Sequence, residues 1–270
     1  MSPLMLLGLL FSPGRPWLHA QDPANPLPDS PSPQIAQDPP GQSAVQRTET
    51  WRSLPTDFLH DQKEIWLFPV QLAKGRDWVP TLAIAGGTIG LLYADPHSMP
   101  YFSKHQGQLD DVNDVFDPSI AAGEIAALPV SLLAAGYLRH DSCQVGTALL
   151  AADAYGDSAV VDVALKAITR RERPVNVPAG TPFTGTFFSS KESPISGSGF
   201  PSGHATAAFS IATVVAMRYR RHRWVPWAVY GFATVVSLSR VSTLAHFPSD
   251  VFAGAALGAT IARYQTLRPR

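Results

Sequence analysis

The sequence predicts an all-α fold, a six-helix core bundle with long loops, preceded by a stretch that does not join the core. Three observations support this. Beyond residue 57 the chain passes through six apolar stretches, roughly 79–94, 119–138, 144–169, 204–218, 225–240 and 249–265, all rich in Ala or other helix-compatible residues. None alternates β-branched with polar residues as a half-buried strand would. The 45% apolar content is concentrated in this part of the chain, and charged residues make up only 16%.

The N-terminal elements come first. Residues 1–20, "MSPLMLLGLLFSPGRPWLHA", carry an apolar core from Leu4 to Phe11, then helix breakers, then a small residue before Gln21. That is the pattern of an export signal, although Lys and Arg are missing from its start. Residues 21–56 are polar, rich in Pro and without hydrophobic periodicity, the composition of a tether unable to bury enough apolar area to fold. The helical domain is then 57–270, opening with the amphipathic piece "DFLHDQKEIWLFPVQLAKG". Loops are expected at 95–117 and 174–200.

The composition excludes several classes. Lys plus Arg balances Asp plus Glu at 21 each, which offers nucleic acid no basic surface. The one cysteine, Cys143, has no internal partner and reads as a packing residue. No His/Cys cluster stands at metal-ligand spacing, so no metal site and no cofactor are expected.

The membrane signals conflict. Lys74, Arg76, Arg139 and the "RYRRHR" run at 218–223 fall in one set of loops. Asp95, Asp110, Asp111, Asp114 and Asp117 fall in the other, as the positive-inside rule would have it for six spans. Against spanning, most uninterrupted apolar runs reach only about 13–16 residues, short of the ~20 a span needs. The third stretch also carries Asp153, Asp157 and Asp162, which lipid would penalise. A cleaved signal would moreover place residue 21 outside, and six spans from there would put the 218–223 run outside too. The short runs favour an exported soluble bundle, periplasmic or extracellular. The alternative is an integral membrane protein with its active site facing away from the cytoplasm.

Three segments carry the chemistry. In "GSGFPSGHATAAFS", residues 197–210, Pro201 stops the preceding segment and Ser202 can cap a helix. Gly203 lets the backbone approach a ligand, so the free N–H groups of the first turn could hold an anion beside His204. In "LKAITRRERPV", Lys166 and Arg173 would share one helix face about 10 Å apart along the axis, with the helix ending at Pro174. In "SRVSTLAHFPSD", Pro248 suits a first helical position and Asp250 the first turn. A carboxylate there can also accept from one ring nitrogen of His246 and leave the other free to attack. Taken singly, each segment is equally a helix start, a basic helix end or a cap.

Together they read K-x6-R-P, P-S-G-H and S-R-x5-H-x3-D, in that order, and the whole of 57–270 resembles the superfamily of type 2 phosphatidic acid phosphatases, bacterial non-specific acid phosphatases and vanadium haloperoxidases. The resemblance implies the six-helix bundle of that superfamily and a metal-independent phosphatase. It implies that Lys166, Arg173 and Arg240 hold phosphate oxygens, with Ser202 and the backbone N–H of Gly203 adding hydrogen bonds. It further implies that His246 is the nucleophile, forming a phosphohistidine, that Asp250 orients it, and that His204 protonates the leaving alcohol. The substrate would be a phosphorylated small molecule or a lipid phosphate, pyrophosphates included. A vanadate-dependent haloperoxidase is the other implied activity, disfavoured by the short chain. Phe183, Phe187, Phe188 and Phe200 either face an acyl chain or pack beneath the loop that carries them.

Overall fold

The computed structural model describes residues 49–105, 118–191, 193 and 198–268, and the side chains of 118–120 are left aside. The expected signal at 1–20 and most of the tether lie outside the described residues. Those described are helical, with no strand among them.

Helix α1, Leu54–Trp66, begins inside the segment assigned to the tether, which therefore ends earlier than 56. Pro55 sits in its first turn with Asp57, and Lys63 in its last, so proline geometry and the dipole both favour this register. The residues before it are anchored as well. Glu49 is buried, and the Trp51 indole donates to Tyr137 Oη at 2.6 Å. A short α2, Phe68–Ala73, follows.

Helix α3, Trp78–Lys104, runs ten residues beyond the expected end at 94 and takes in the first part of the expected loop. Pro96 and Pro100 lie inside it, each costing roughly 3 kcal/mol in an isolated helix. Tertiary contacts outweigh that cost, because Asp95 and Met99 on the continuation are fully buried. The rest of the expected loop, 106–117, is outside the described residues.

Helices α4, Pro118–Arg139, and α5, Ser142–Thr169, are joined by a tight turn. Asp141 caps α5 by accepting from the backbone N–H of Cys143 at 2.9 Å and of Gln144 at 3.2 Å. After a one-turn 3₁₀ segment at Pro174–Asn176 and an irregular loop come α6, Gly203–Arg218, α7, Trp224–Ser242, and α8, Pro248–Ile261. A single π turn at Ala262–Thr266 extends α8.

The centre of the bundle is α6 against α8. A Cβ on Gly254 would come within 2.5 Å of the Ser202 carbonyl oxygen, and one on Gly258 within 2.2 Å of that of Thr206. The two glycines lie four residues apart, on one face of α8, so the backbones touch where any side chain would hold them apart. That contact fixes the start of α6 against the middle and second half of α8.

The outward faces are apolar. Val79 and Tyr93 on α3, Leu138 on α4, Ile168 on α5 and Trp227 on α7 are all well over half exposed. Residues 121–139 are long and apolar enough to cross a membrane, and only 22% of that stretch is buried.

Candidate active site

The ends of four helices meet. Lys166, near the end of α5, is buried and pairs with Asp162 one turn earlier, Nζ to Oδ2 at 2.7 Å. Its ammonium lies against the start of α6, where a Cβ on Gly203 would be 2.9 Å from Nζ. Ser202 stands at the N-cap position, yet its hydroxyl caps nothing. It is fully buried, and its Oγ has no hydrogen-bond partner among the described residues. A buried hydroxyl left so costs about 1–3 kcal/mol, which an incoming acceptor would recover. The backbone N–H of Ser202 donates to the carbonyl of Asp250 at 3.0 Å, tying the second segment to the third.

Arg240, in the last turn of α7, is fully buried, and its guanidinium donates to Ser239 Oγ from Nε at 3.2 Å and Nη2 at 3.1 Å. Its carbonyl accepts from the N–H groups of Ala245 and His246, both at 3.0 Å, and so closes the turn that presents the histidine. His204, in the first turn of α6, lies within electrostatic reach of Arg240, His246, Lys166 and Arg173. All the residues singled out in the three segments therefore converge at one place.

Two details differ from expectation. Helix α5 stops at Thr169, and Arg170 is left-handed at φ 41°, so Arg173 is not on the helix face of Lys166. It stands in an extended segment before Pro174. The chain leaves the helix early because the next residues are tied to the loops. Arg171 N–H donates to Ser198 Oγ at 3.1 Å, and Glu172 N–H to the Thr186 carbonyl at 2.7 Å.

The second difference concerns His246. Its Nδ1 is 2.7 Å from the Gly199 carbonyl oxygen but 3.7 Å from Asp250 Oδ2, too long for a hydrogen bond. A carbonyl can only accept, so Nδ1 carries the proton and Nε2 keeps its lone pair. The tautomer expected from the carboxylate is thus set by a backbone oxygen. Asp250, fully buried, accepts from Phe247 N–H at Oδ2, 2.8 Å, and from Arg171 Nη1 at Oδ1, 2.5 Å.

Sequence reasoning missed Asp162, Gly199 and the group Asp95, Arg171 and Ser249. Arg171 Nη2 pairs with Asp95 Oδ2 at 2.7 Å, and its Nη1 donates to Ser249 Oγ at 2.7 Å. Asp95 had been placed among loop acids. Of the loop aromatics, Phe183 packs edge-on against Phe247 and Phe187 tilts against Phe200, while Phe188 is exposed. Elsewhere Asp61, Asp153 and Asp157 are buried with ligand atoms within 4.8 Å of one another, and Asp157 accepts from Gln62 and Thr266.

Three cations, a helix N-terminus with an unpartnered hydroxyl, and an imidazole with a committed tautomer form the class of site suited to a phosphoryl group. Residues 143–268, which contain every one of these groups, match the PAP2 superfamily. Among curated relatives, a lipid A 1-phosphatase of Porphyromonas gingivalis is 40% identical over 60 residues, 22% of this chain and 14% of that protein. The bacitracin transport permease protein BcrC of Bacillus licheniformis is 41% identical over 59 residues, 22% of this chain and 28% of that protein. The chain thus matches well under a third of the length of either relative. A solved transmembrane PAP2-type phosphatidylglycerolphosphate phosphatase from Bacillus subtilis has 22% identity and a TM-score of 0.38, over 78% of this chain and 90% of that one.

Proposed function

We propose that this chain is an integral membrane phosphatase that hydrolyses a lipid phosphate or pyrophosphate on the non-cytoplasmic side, through a phosphohistidine. The observation that carries the chemistry is the commitment of His246 Nδ1 to the Gly199 carbonyl, which leaves Nε2 as a nucleophile beside the three cations. Nε2 attacks phosphorus and the P–O bond to the alcohol breaks. His204 gives the leaving oxygen its proton. The same His204 then takes a proton from water, which attacks the phosphohistidine and releases inorganic phosphate with His246 restored. Lys166, Arg173 and Arg240, with Ser202 Oγ and the Gly203 N–H, stabilise the equatorial oxygens throughout.

The apolar outer faces of α3, α4, α5 and α7 support the membrane setting over the exported bundle, since water would leave that surface unsatisfied. The buried acids answer the objection from cost. Asp153, Asp157 and Asp162 all point into protein rather than lipid. The turn after Arg139 and the 218–223 run lie at the bundle end opposite the pocket, so the positive-inside rule puts the pocket outside. This orientation starts α3 on the cytoplasmic side, and a cleaved export signal is incompatible with it.

Purified full-length chain in detergent should release phosphate from p-nitrophenyl phosphate and from phosphatidate in mixed micelles, and His246→Ala should release none. No release from either substrate by the native chain would end the hydrolase reading. Cell fractionation tests the setting separately. Recovery in the soluble extract, without detergent, would overturn the membrane reading.

A further inference from the structure

Behind the nucleophile lies a buried arginine, Arg171, at a position that none of the three motifs specifies. Arg171 is 2% exposed and uses four of its five N–H donors on the protein. Nε donates to Thr186 Oγ1 at 3.1 Å, Nη1 to Ser249 Oγ and Asp250 Oδ1, and Nη2 to Asp95 Oδ2. Its guanidinium carbon lies 4.0 Å from the centroid of the Phe247 ring, next in sequence to His246. Asp95, reaching in from α3, also accepts from the backbone N–H of Ser249 at 3.2 Å. The Arg171 carbonyl takes the N–H of Gly199 at 2.7 Å, and it is the Gly199 carbonyl that takes His246 Nδ1. One residue therefore braces both groups that face Nδ1: its backbone carbonyl accepts the Gly199 N–H, and its side chain pairs with Oδ1 of the Asp250 carboxylate, whose Oδ2 faces the ring.

We propose that Arg171, anchored by Asp95, is a positioning residue that fixes the His246 tautomer and divides the charge of Asp250 between itself and the imidazole. The inference rests on the phosphohistidine reading above. Four of its five donors are spent on protein oxygens, which makes Arg171 a support of Asp250 rather than a phosphate ligand. The group Asp95–Arg171–Asp250 carries one net negative charge, which the imidazolium formed during transfer neutralises. An Asp250 without Arg171 would place its full charge on His246 and keep it protonated at higher pH. An Arg171 without Asp95 would draw harder on Asp250 and leave His246 less basic.

The test is the His246 titration in the full chain in micelles, followed by NMR of 15N-histidine-labelled protein and assigned with His246→Gln. It needs no turnover, so a chain that fails to hydrolyse phosphate sinks the hydrolase reading without silencing this one. The acid limb of kcat/KM should follow the same shifts. Arg171→Met should raise the His246 midpoint and Asp95→Asn should lower it, each by about one pH unit. The other charges facing the ring stay in place in both variants: Asp162 of α5, His204 of α6 and Asp250 of α8, with Lys166, Arg173 and Arg240 beside His204. Inhibition by inorganic phosphate should change less than about twofold, while kcat falls tenfold or more, the scale of losses at outer-shell partners. A residue that serves packing alone would not move the midpoint in opposite directions. Unmoved midpoints, shifts of one sign, or phosphate binding lost as in Arg173→Lys would overturn the proposal. If Arg171→Met does not fold, Asp95→Asn alone decides it by the downward shift.

Discussion

Replacing Gly203 by Ala separates the pocket from the fold. Gly203 opens α6 with no left-handed backbone, so an alanine is conformationally allowed there. Removing a glycine narrows the unfolded ensemble and should stabilise the chain by roughly 0.4–1 kcal/mol. The new Cβ, however, would stand 2.9 Å from Lys166 Nζ and 3.4 Å from Asp162 Oδ2. The ammonium is the far end of a flexible side chain and can withdraw by about half an ångström, but it then leaves the surface facing the anion. A charge-assisted hydrogen bond is worth about 1.5–3 kcal/mol, so its loss should lower kcat/KM by about 10–100-fold. The measurements are kcat/KM on p-nitrophenyl phosphate, inhibition by phosphate, and thermal denaturation in the same detergent. Full activity with the methyl in place would refute Lys166 and the α6 N-terminus as the anion cradle. A fall of many degrees in Tm would show that Gly203 is a packing residue instead.

Three further outcomes are expected. His246→Ala should lose turnover on every substrate, whereas His204→Ala should lose less on p-nitrophenyl phosphate, whose leaving group hardly needs a proton, than on an alkyl phosphate; equal losses would remove the acid role of His204. Gly258→Ala drives a Cβ into the Thr206 backbone and should destabilise the chain by about 1–3 kcal/mol or more, read as Tm in micelles, with an unchanged Tm refuting the close α6–α8 contact. Phosphate release should survive EDTA and be inhibited competitively by vanadate, and activity restored only by a divalent ion would displace the three cations from their assigned role.

The legible parts of this site were the local ones. The N-cap position, first turn and histidine of P-S-G-H lie within four residues, and a loop-to-helix junction announces itself through Pro, Ser and Gly, although the Ser202 hydroxyl makes no cap bond. The Pro248–Asp250 start of α8 was legible for the same reason. Arg173 was misplaced because nothing in "ITRRERPV" marks a left-handed residue at Arg170, where neither Gly nor Asn stands. Gly199 was invisible because its contribution is a carbonyl, which every residue has. Asp95 and Arg171 are 76 residues apart, and the proline after Asp95 reads as a helix end rather than as the middle of a buried one.

Asp250 shows why a structural and a chemical reading of one residue need not compete. As a first-turn carboxylate it seemed to be either a cap or a partner of His246. In the fold the two oxygens do separate work: Oδ2 accepts the Phe247 N–H as a cap would, and Oδ1 takes Arg171. Asparagine keeps one acceptor, so the cap at Phe247 can survive Asp250→Asn. What it cannot keep is the charge, and its amide would place a donor or a neutral oxygen against the Arg171 guanidinium. The variant should therefore retain much of the helix start yet lose about tenfold or more in kcat, the scale of losses at outer-shell partners, because the charge that stabilises the imidazolium is gone while the Gly199 carbonyl still sets the tautomer. Phosphate inhibition, which depends on Lys166, Arg173 and Arg240, should persist. A fully active Asp250→Asn chain would reduce this carboxylate to a cap and remove the reason for burying Arg171 beside it.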